Sequence, residues 1–183
     1  MTYTEVLAKM PEDLPRKPII IGDVAVARTQ LGNVFVCSVE DYDLVKRHKI
    51  TERNDFGYVE FRENYKSVKL NRLIANRLGA KPNEMLDHID GNKLNYLRSN
   101  VRVATRGENN MNRHVINNKT GYAGVTFMRG RYTAKLQARG KFVHVGCFNT
   151  AEEAATARNA AAIVHHGAFA ALNIIKVPVL EQA

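Results

Sequence analysis

Residues 84–113 read EMLDHIDGNKLNYLRSNVRVATRGENNMNR, and no other stretch restricts the fold as tightly. Met85 and Leu86 lead a strand into Asp87 and His88, Asp90-Gly91 signals a turn, and Leu97 to Val103 return as a second strand. Thr105 and Glu108 have the spacing of a capping box, so a helix is predicted from about Arg106. Strand, turn, strand and helix bring a carboxylate, an imidazole and several amides toward one point. Asn109 falls in the first helical turn, where free N–H groups and the helix dipole favour an anion.

These residue types suit phosphodiester hydrolysis, which needs a base to activate water and a cation to offset charge on the phosphate and leaving oxygen. A hard cation takes oxygen donors, and Asp87 and Asn109 offer a carboxylate and an amide oxygen. A neutral imidazole such as His88 is a suitable base near neutrality. Adjacent residues on an ideal strand point to opposite faces, so a local twist or bulge is expected to bring Asp87 and His88 together. Asn100, on the returning strand, is expected to accept from the His88 ring and hold its tautomer. Zinc is disfavoured, because the stretch has no cysteine and His114 is the nearby second imidazole.

Upstream, Pro11, Pro15 and Pro18 make residues 1–18 an arm with at most one helical turn. Val24 to Ala27 and Val34 to Cys37 flank Leu31-Gly32-Asn33 as a hairpin, and a short helix is predicted from Val39 to Val45. Gly57 to Phe61 and Ser67 to Leu70 read as further strands, and His48 as an isolated surface residue. Leu70, Leu73, Ile74 and Leu78 recur at helical spacing until Gly79. Arg72 and Arg77 then lie off the apolar stripe, where they solvate a face or meet phosphate.

Residues 114–120 read as a polar linker, and a second unit starts near Gly121. Residues 121–128 are predicted as a strand. From Arg131 to Arg139 the chain alternates, with Tyr132, Ala134, Leu136 and Ala138 on one face and Thr133, Lys135, Gln137 and Arg139 on the other. A turn at Arg139-Gly140-Lys141 leads to a strand ending at Phe148, and Thr150 and Glu153 form another capping box before an alanine-rich helix closed by Gly167. Asn117 to Thr150 holds six Lys or Arg and no acid. A single-signed run on one side of such a sheet points to nucleic acid more than to a solvated face.

Charge agrees: 27 Lys and Arg against 18 Asp and Glu, a formal net charge of +9. Cys37 and Cys147 form no framework, so a reducing, intracellular setting is expected, the host cytoplasm if the protein is phage-encoded. No signal peptide or membrane-spanning run is read in the sequence.

The motif DHIDGNKLNYLRSNVRVATRGENNMN resembles the HNH endonucleases of the phage and homing type, which have a ββα-metal fold. The segment from Gly121 to Asn173 resembles an AP2 DNA-binding domain, and the order of the two resembles phage HNH endonucleases carrying a C-terminal AP2 domain. The resemblance covers about residues 20–173 and implies an α+β chain. In it, residues 1–113 are a nuclease domain with a β-rich N-terminal segment and a ββα-metal core at 84–113. Residues 114–120 are the linker, 121–173 a three-stranded antiparallel sheet packed on one helix, and 174–183 a tail. It further implies that Asp87 and Asn109 bind a divalent ion, Mg²⁺ or else Mn²⁺, that His88 is the general base and that Asn100 orients it. The DNA-facing residues would be Arg129, Arg131, Lys135, Gln137, Arg139 and Lys141, with Arg72 a further candidate. Three positions depart from the pattern: Asn71 stands where relatives often carry His, Ala123 where an Arg commonly precedes Gly-Val, and Tyr132 where a Trp is usual.

The expected function is a metal-dependent endonuclease on double-stranded DNA, acting as a monomer that nicks one strand. The alternative is a non-catalytic DNA-binding regulator on a degenerate HNH scaffold, favoured by Asn71. An RNA-binding protein is a third reading, and Phe127, Tyr132 and Phe142 read as core or edge positions rather than a stacking platform.

Overall fold

Thr2 and Glu5 form a capping box, the Glu5 N–H donating to the Thr2 hydroxyl and the Thr2 N–H to the Glu5 carboxylate, and helix α1 runs Tyr3–Ala8 behind it. The N-terminal arm is therefore a helix of nearly two turns, and Val6 is wholly buried. The prolines that suggested an arm all follow this helix, where they cost it nothing. The computed structural model describes residues 1–15, 17–46, 50–52, 57–63, 66–113 and 118–176. His48, His114 and the tail from 177 lie outside them.

Two units divide the chain, Met1–Arg106 and Gly107–Ala183. In the first, strands β1 (Ile19–Ile21), β2 (Val24–Arg28) and β3 (Val34–Ser38) pair antiparallel in sequence order. Their sheet is buried on both faces, which is why β2 reads as an unbroken apolar run. Val24, Val26 and Val36 pack with Val6, Leu14 and Leu97 on one side. On the other side Ala25, Ala27, Phe35 and Cys37 meet a larger core around Phe61, Leu70, Ile74 and Tyr96. A 3₁₀ turn at Val39–Asp41 and helix α2 (Tyr42–Val45) follow, close to the predicted helix.

Strands β4 (Ile50–Glu52), β5 (Val59–Glu63) and β6 (Lys66–Lys69) make a second antiparallel sheet, and helix α3 (Leu70–Arg77) follows. Gly79 ends α3 at φ +78°, a conformation that glycine adopts without steric cost. Strand β7 (Glu84–His88) comes next, then a loop holding the short β8 (Asn95–Tyr96), which pairs parallel with β3. Strand β9 (Val101–Thr105) returns antiparallel to β7 and runs straight into helix α4 (Arg106–Met111). The predicted helix start holds. The returning strand begins four residues later than predicted, because Asn100 and Val101 donate their N–H groups back to the Leu97 carbonyl and close a turn there.

The second unit groups α4 with strands β10 (Val125–Met128), β11 (Arg131–Ala138) and β12 (Lys141–Phe148), an antiparallel sheet in sequence order, and helix α5 (Ala151–His166). The Thr150–Glu153 capping box opens α5. Ala154 and Ala155 lie against Val125 and Ala134, and Ala162 against Leu136 and Ala138, so small side chains let helix and sheet approach closely. The end of the predicted linker is an ordered turn: the Asn118 amide donates to the Tyr122 and Val125 carbonyls and the Thr120 hydroxyl to that of Val125. Among the described residues no helix is long and apolar enough to cross a membrane.

Candidate active site and basic sheet

Asp87 and His88 end strand β7, and both are buried, at 3% and 5% exposure. The strand register places Arg102 directly opposite Asp87. The Arg102 guanidinium donates from Nε to Asp87 Oδ2 at 2.8 Å, with Nη2 2.7 Å from the same oxygen. A basic partner for the carboxylate was not among the sequence candidates, because the pairing depends on a register that the sequence leaves open.

The His88 ring lies edge-on to Tyr96, with centroids 4.9 Å apart, and tilted to Tyr58 at 6.2 Å. Burial pushes its pKa down to about 4, against the opposing pull of Asp90 and Asp87, so the imidazole is neutral at pH 7. Tyr58 and Tyr96, 30 and 8 residues away in sequence, form this wall by packing alone.

Asn100 is placed differently from the expectation. Its Oδ1 accepts the Asp90 N–H at 3.1 Å, and its Nδ2 donates to Asp90 Oδ1 and to the Asn95 carbonyl, each at 2.9 Å. Asp90 also accepts from the Asn92 N–H and the Asn95 side-chain amide, both at 2.8 Å. The asparagines therefore staple the loop between β7 and β9, and Asn100 acts on that backbone rather than on the His88 ring. Short amide side chains bond readily to nearby backbone, which is why these residues recur here.

Arg72 donates from Nη1 to the Glu84 carbonyl at 2.6 Å and so braces α3 against β7. Arg77 is held by Asp43 and Asp41. Asn71 is half-buried, and its Oδ1 is enclosed without a hydrogen-bond partner. Asn109 is half-buried on α4, in the second unit.

A magnesium-type ion takes oxygen donors and is commonly bound by one or two carboxylates, with water and phosphate completing its shell. Asp87 fits that demand, although Arg102 already brings a positive charge to one of its oxygens. Among the described residues no group of three or more His, Cys, Asp or Glu is placed to hold a metal.

In the second unit, Ala134, Leu136 and Ala138 are buried under α5, while Arg131, Lys135 and Gln137 are exposed on the opposite side. The register adds Phe142, opposite Gln137, to that outer face, where it is 74% exposed with Lys135 Nζ 5.6 Å from its ring centre. Phe142 is therefore not a core residue; it lies on the edge strand β12. Tyr132 fits the earlier reading, half-buried in the core, and pairs with the exposed Phe127 at 4.8 Å. Lys141 is opposite Ala138 and so belongs to the helix side, away from Lys135 and Gln137. Arg129 and Arg139 occupy the tips of the two hairpins at φ +52° and +50°, each followed by a glycine at +76°. Two-residue turns with both φ values positive favour Asn-Gly, so an arginine at the first position is held against its preference.

A buried Asp-His pair on a strand–loop–strand–helix segment defines a candidate phosphodiester-directed site, and one similarity found among curated proteins bears on it. An uncharacterized HNH endonuclease of Acanthamoeba polyphaga mimivirus is 34% identical over 111 residues, 59% of this chain and 58% of that protein. The chain thus matches somewhat over half of that relative's length. No protein-family model matches the chain.

Proposed function

We propose that this chain is a metal-dependent DNA endonuclease of the HNH type, with the 84–113 segment as a ββα-metal core and the basic sheet as an AP2-like DNA-binding module. The observation that carries the reading is the buried Asp87–His88 pair at the end of β7, its imidazole neutral and its loop stapled by Asn100. The similarity to a protein named as an HNH endonuclease supports it.

In this reading the neutral His88 takes a proton from the attacking water, and the rings of Tyr58 and Tyr96 hold the imidazole in place. Asp87 holds a divalent ion, Mg²⁺ or Mn²⁺, which when bound supplies charge for the phosphate and the leaving oxygen. Asn109 enters as a ligand on the resemblance alone. Asn100 keeps the loop after His88 in shape and is a positioning residue. Arg129, Arg131, Lys135, Gln137 and Arg139 contact duplex DNA, and Phe142 adds an apolar contact on the same face. One site per chain makes nicking by a monomer the expected reaction.

Nicking of supercoiled plasmid in Mg²⁺ or Mn²⁺ tests the reading. Wild type should convert plasmid to open circle, and His88→Ala and Asp87→Asn should each lose at least about a hundredfold in rate. Equal nicking by wild type and His88→Ala would remove His88 as the base. The second reading, a DNA-binding regulator without catalysis, is favoured by the Arg102–Asp87 ion pair and by Asn71. It predicts duplex binding with no nicking in any metal.

A further inference from the structure

A cavity of about 360 Å³ lies in the second unit, lined by Gly124, Lys135, Gln137, Phe142, Arg158 and His166 among others. None of its described lining residues is acidic. Arg158 projects from α5 and is only 6% exposed. Its Nη1 donates to the Ala171 carbonyl, while its Nε is buried with no hydrogen-bond partner. Burial lowers the Arg158 pKa, and no carboxylate offsets that effect. His166, 8% exposed, bonds through Nε2 to the Gln137 carbonyl at 2.8 Å, and its Nδ1 is likewise buried without a partner. Gly124, at φ +75°, packs tightly at the edge of this cavity, since a Cβ there would lie 2.4 Å from the Lys135 carbonyl and 3.3 Å from Arg158 Nε.

A guanidinium taken out of water without an anion loses its hydration uncompensated, so arginines this deeply buried normally meet a carboxylate or a bound anion. The described residues supply no carboxylate here, and they supply two unpartnered nitrogens and a lysine. We propose that this cavity binds a phosphate group, held by Arg158 Nε–H, by the His166 ring at Nδ1, and by Lys135 from the rim. Several acceptor oxygens on one small anion match donors that converge from a helix and a strand. The phosphate is either free or part of a DNA backbone, and its chemistry at the site is the same. The proposal does not depend on whether the first unit cuts DNA.

The full-length protein, labelled with ¹⁵N, is titrated with sodium phosphate against sodium chloride at equal ionic strength. The Arg158 Nε–H and the Gly124 and Gln137 amides should shift saturably with phosphate and not with chloride. At tenfold over Kd the melting temperature of the second unit should rise by about 6–11 °C. Arg158→Met should abolish both responses, and Arg158→Lys should weaken binding at least about tenfold. An unmoved Arg158 Nε–H in wild type overturns the proposal. So does an Arg158→Met protein that keeps the phosphate response. If Arg158→Met does not fold, the wild-type titration decides alone. A duplex-binding arm assigns the source. If DNA provides the phosphate, Arg158→Met lowers the salt slope of duplex binding by about one. If the phosphate is free, duplex binding is unchanged in a variant that has lost the phosphate response.

Discussion

His88 shows how one buried side chain ties stability to pH. Its pKa in the folded chain is about 4, below the ordinary 6.5, so the unfolded chain takes up the proton first. The stability contributed by the neutral ring is full above pH 6.5 and is lost as pH falls toward 4, about 3 kcal/mol in all. Between pH 7 and roughly 5.5 the loss is about 1 kcal/mol. Urea unfolding at the two values should show that loss in wild type and its absence in His88→Asn. Equal losses in the two proteins would mean that His88 is not the titrating group. Arg102 makes a second prediction at this scale. Removing a unit charge several ångströms from a divalent ion should tighten Mn²⁺ binding to the DNA-free Arg102→Gln protein by about tenfold or more. Calorimetric titration checks this, and an affinity equal to or weaker than wild type would show that Arg102 does not compete for Asp87.

At the scale of elements, the second unit's hairpins trade stability for placement. Arg129 and Arg139 hold left-handed backbone that asparagine adopts at lower cost. Arg129→Asn and Arg139→Asn should each stabilise the unit by about 0.5–1 kcal/mol and should each weaken duplex binding. A variant that is no more stable than wild type would show that the turn carries no strain. The loop from 89 to 100 is an element of another kind, held by side-chain amides in addition to the short pairing of β8 with β3. Its asparagines were legible as a cluster. Their partners were not, because a residue able to reach a histidine ring, a backbone N–H or a carboxylate is assigned only by the geometry of the closed loop.

For the whole molecule, the two units have separate cores, and the proposed labour is divided between them. The cations of the outer sheet face and hairpin tips, Arg129, Arg131, Lys135 and Arg139, should dominate duplex affinity. Neutralising four phosphates gives a slope of roughly −3.6 for log K against log salt. Lys135→Ala should lower its magnitude by about one, whereas His88→Ala should leave both slope and affinity unchanged. A slope that responds to His88→Ala and not to Lys135→Ala would move the DNA contact away from the sheet.

The sequence alone determined what is local. Alternation set the faces of β11, capping-box spacing located the starts of α4 and α5, and the apolar stripe set α3, because each depends on residues within a turn or a strand of one another. The box at Thr2 and Glu5 was equally local and would have revealed α1. Tertiary structure decided what depends on distant partners. Register set Arg102 against Asp87, long-range packing put Tyr58 and Tyr96 around His88, and strand pairing moved Phe142 to the outer face and Lys141 off it. A strand's own pattern states which side chains share a face. It does not state which residue of another strand stands opposite, and the chemistry of Asp87 and His88 depends on those neighbours.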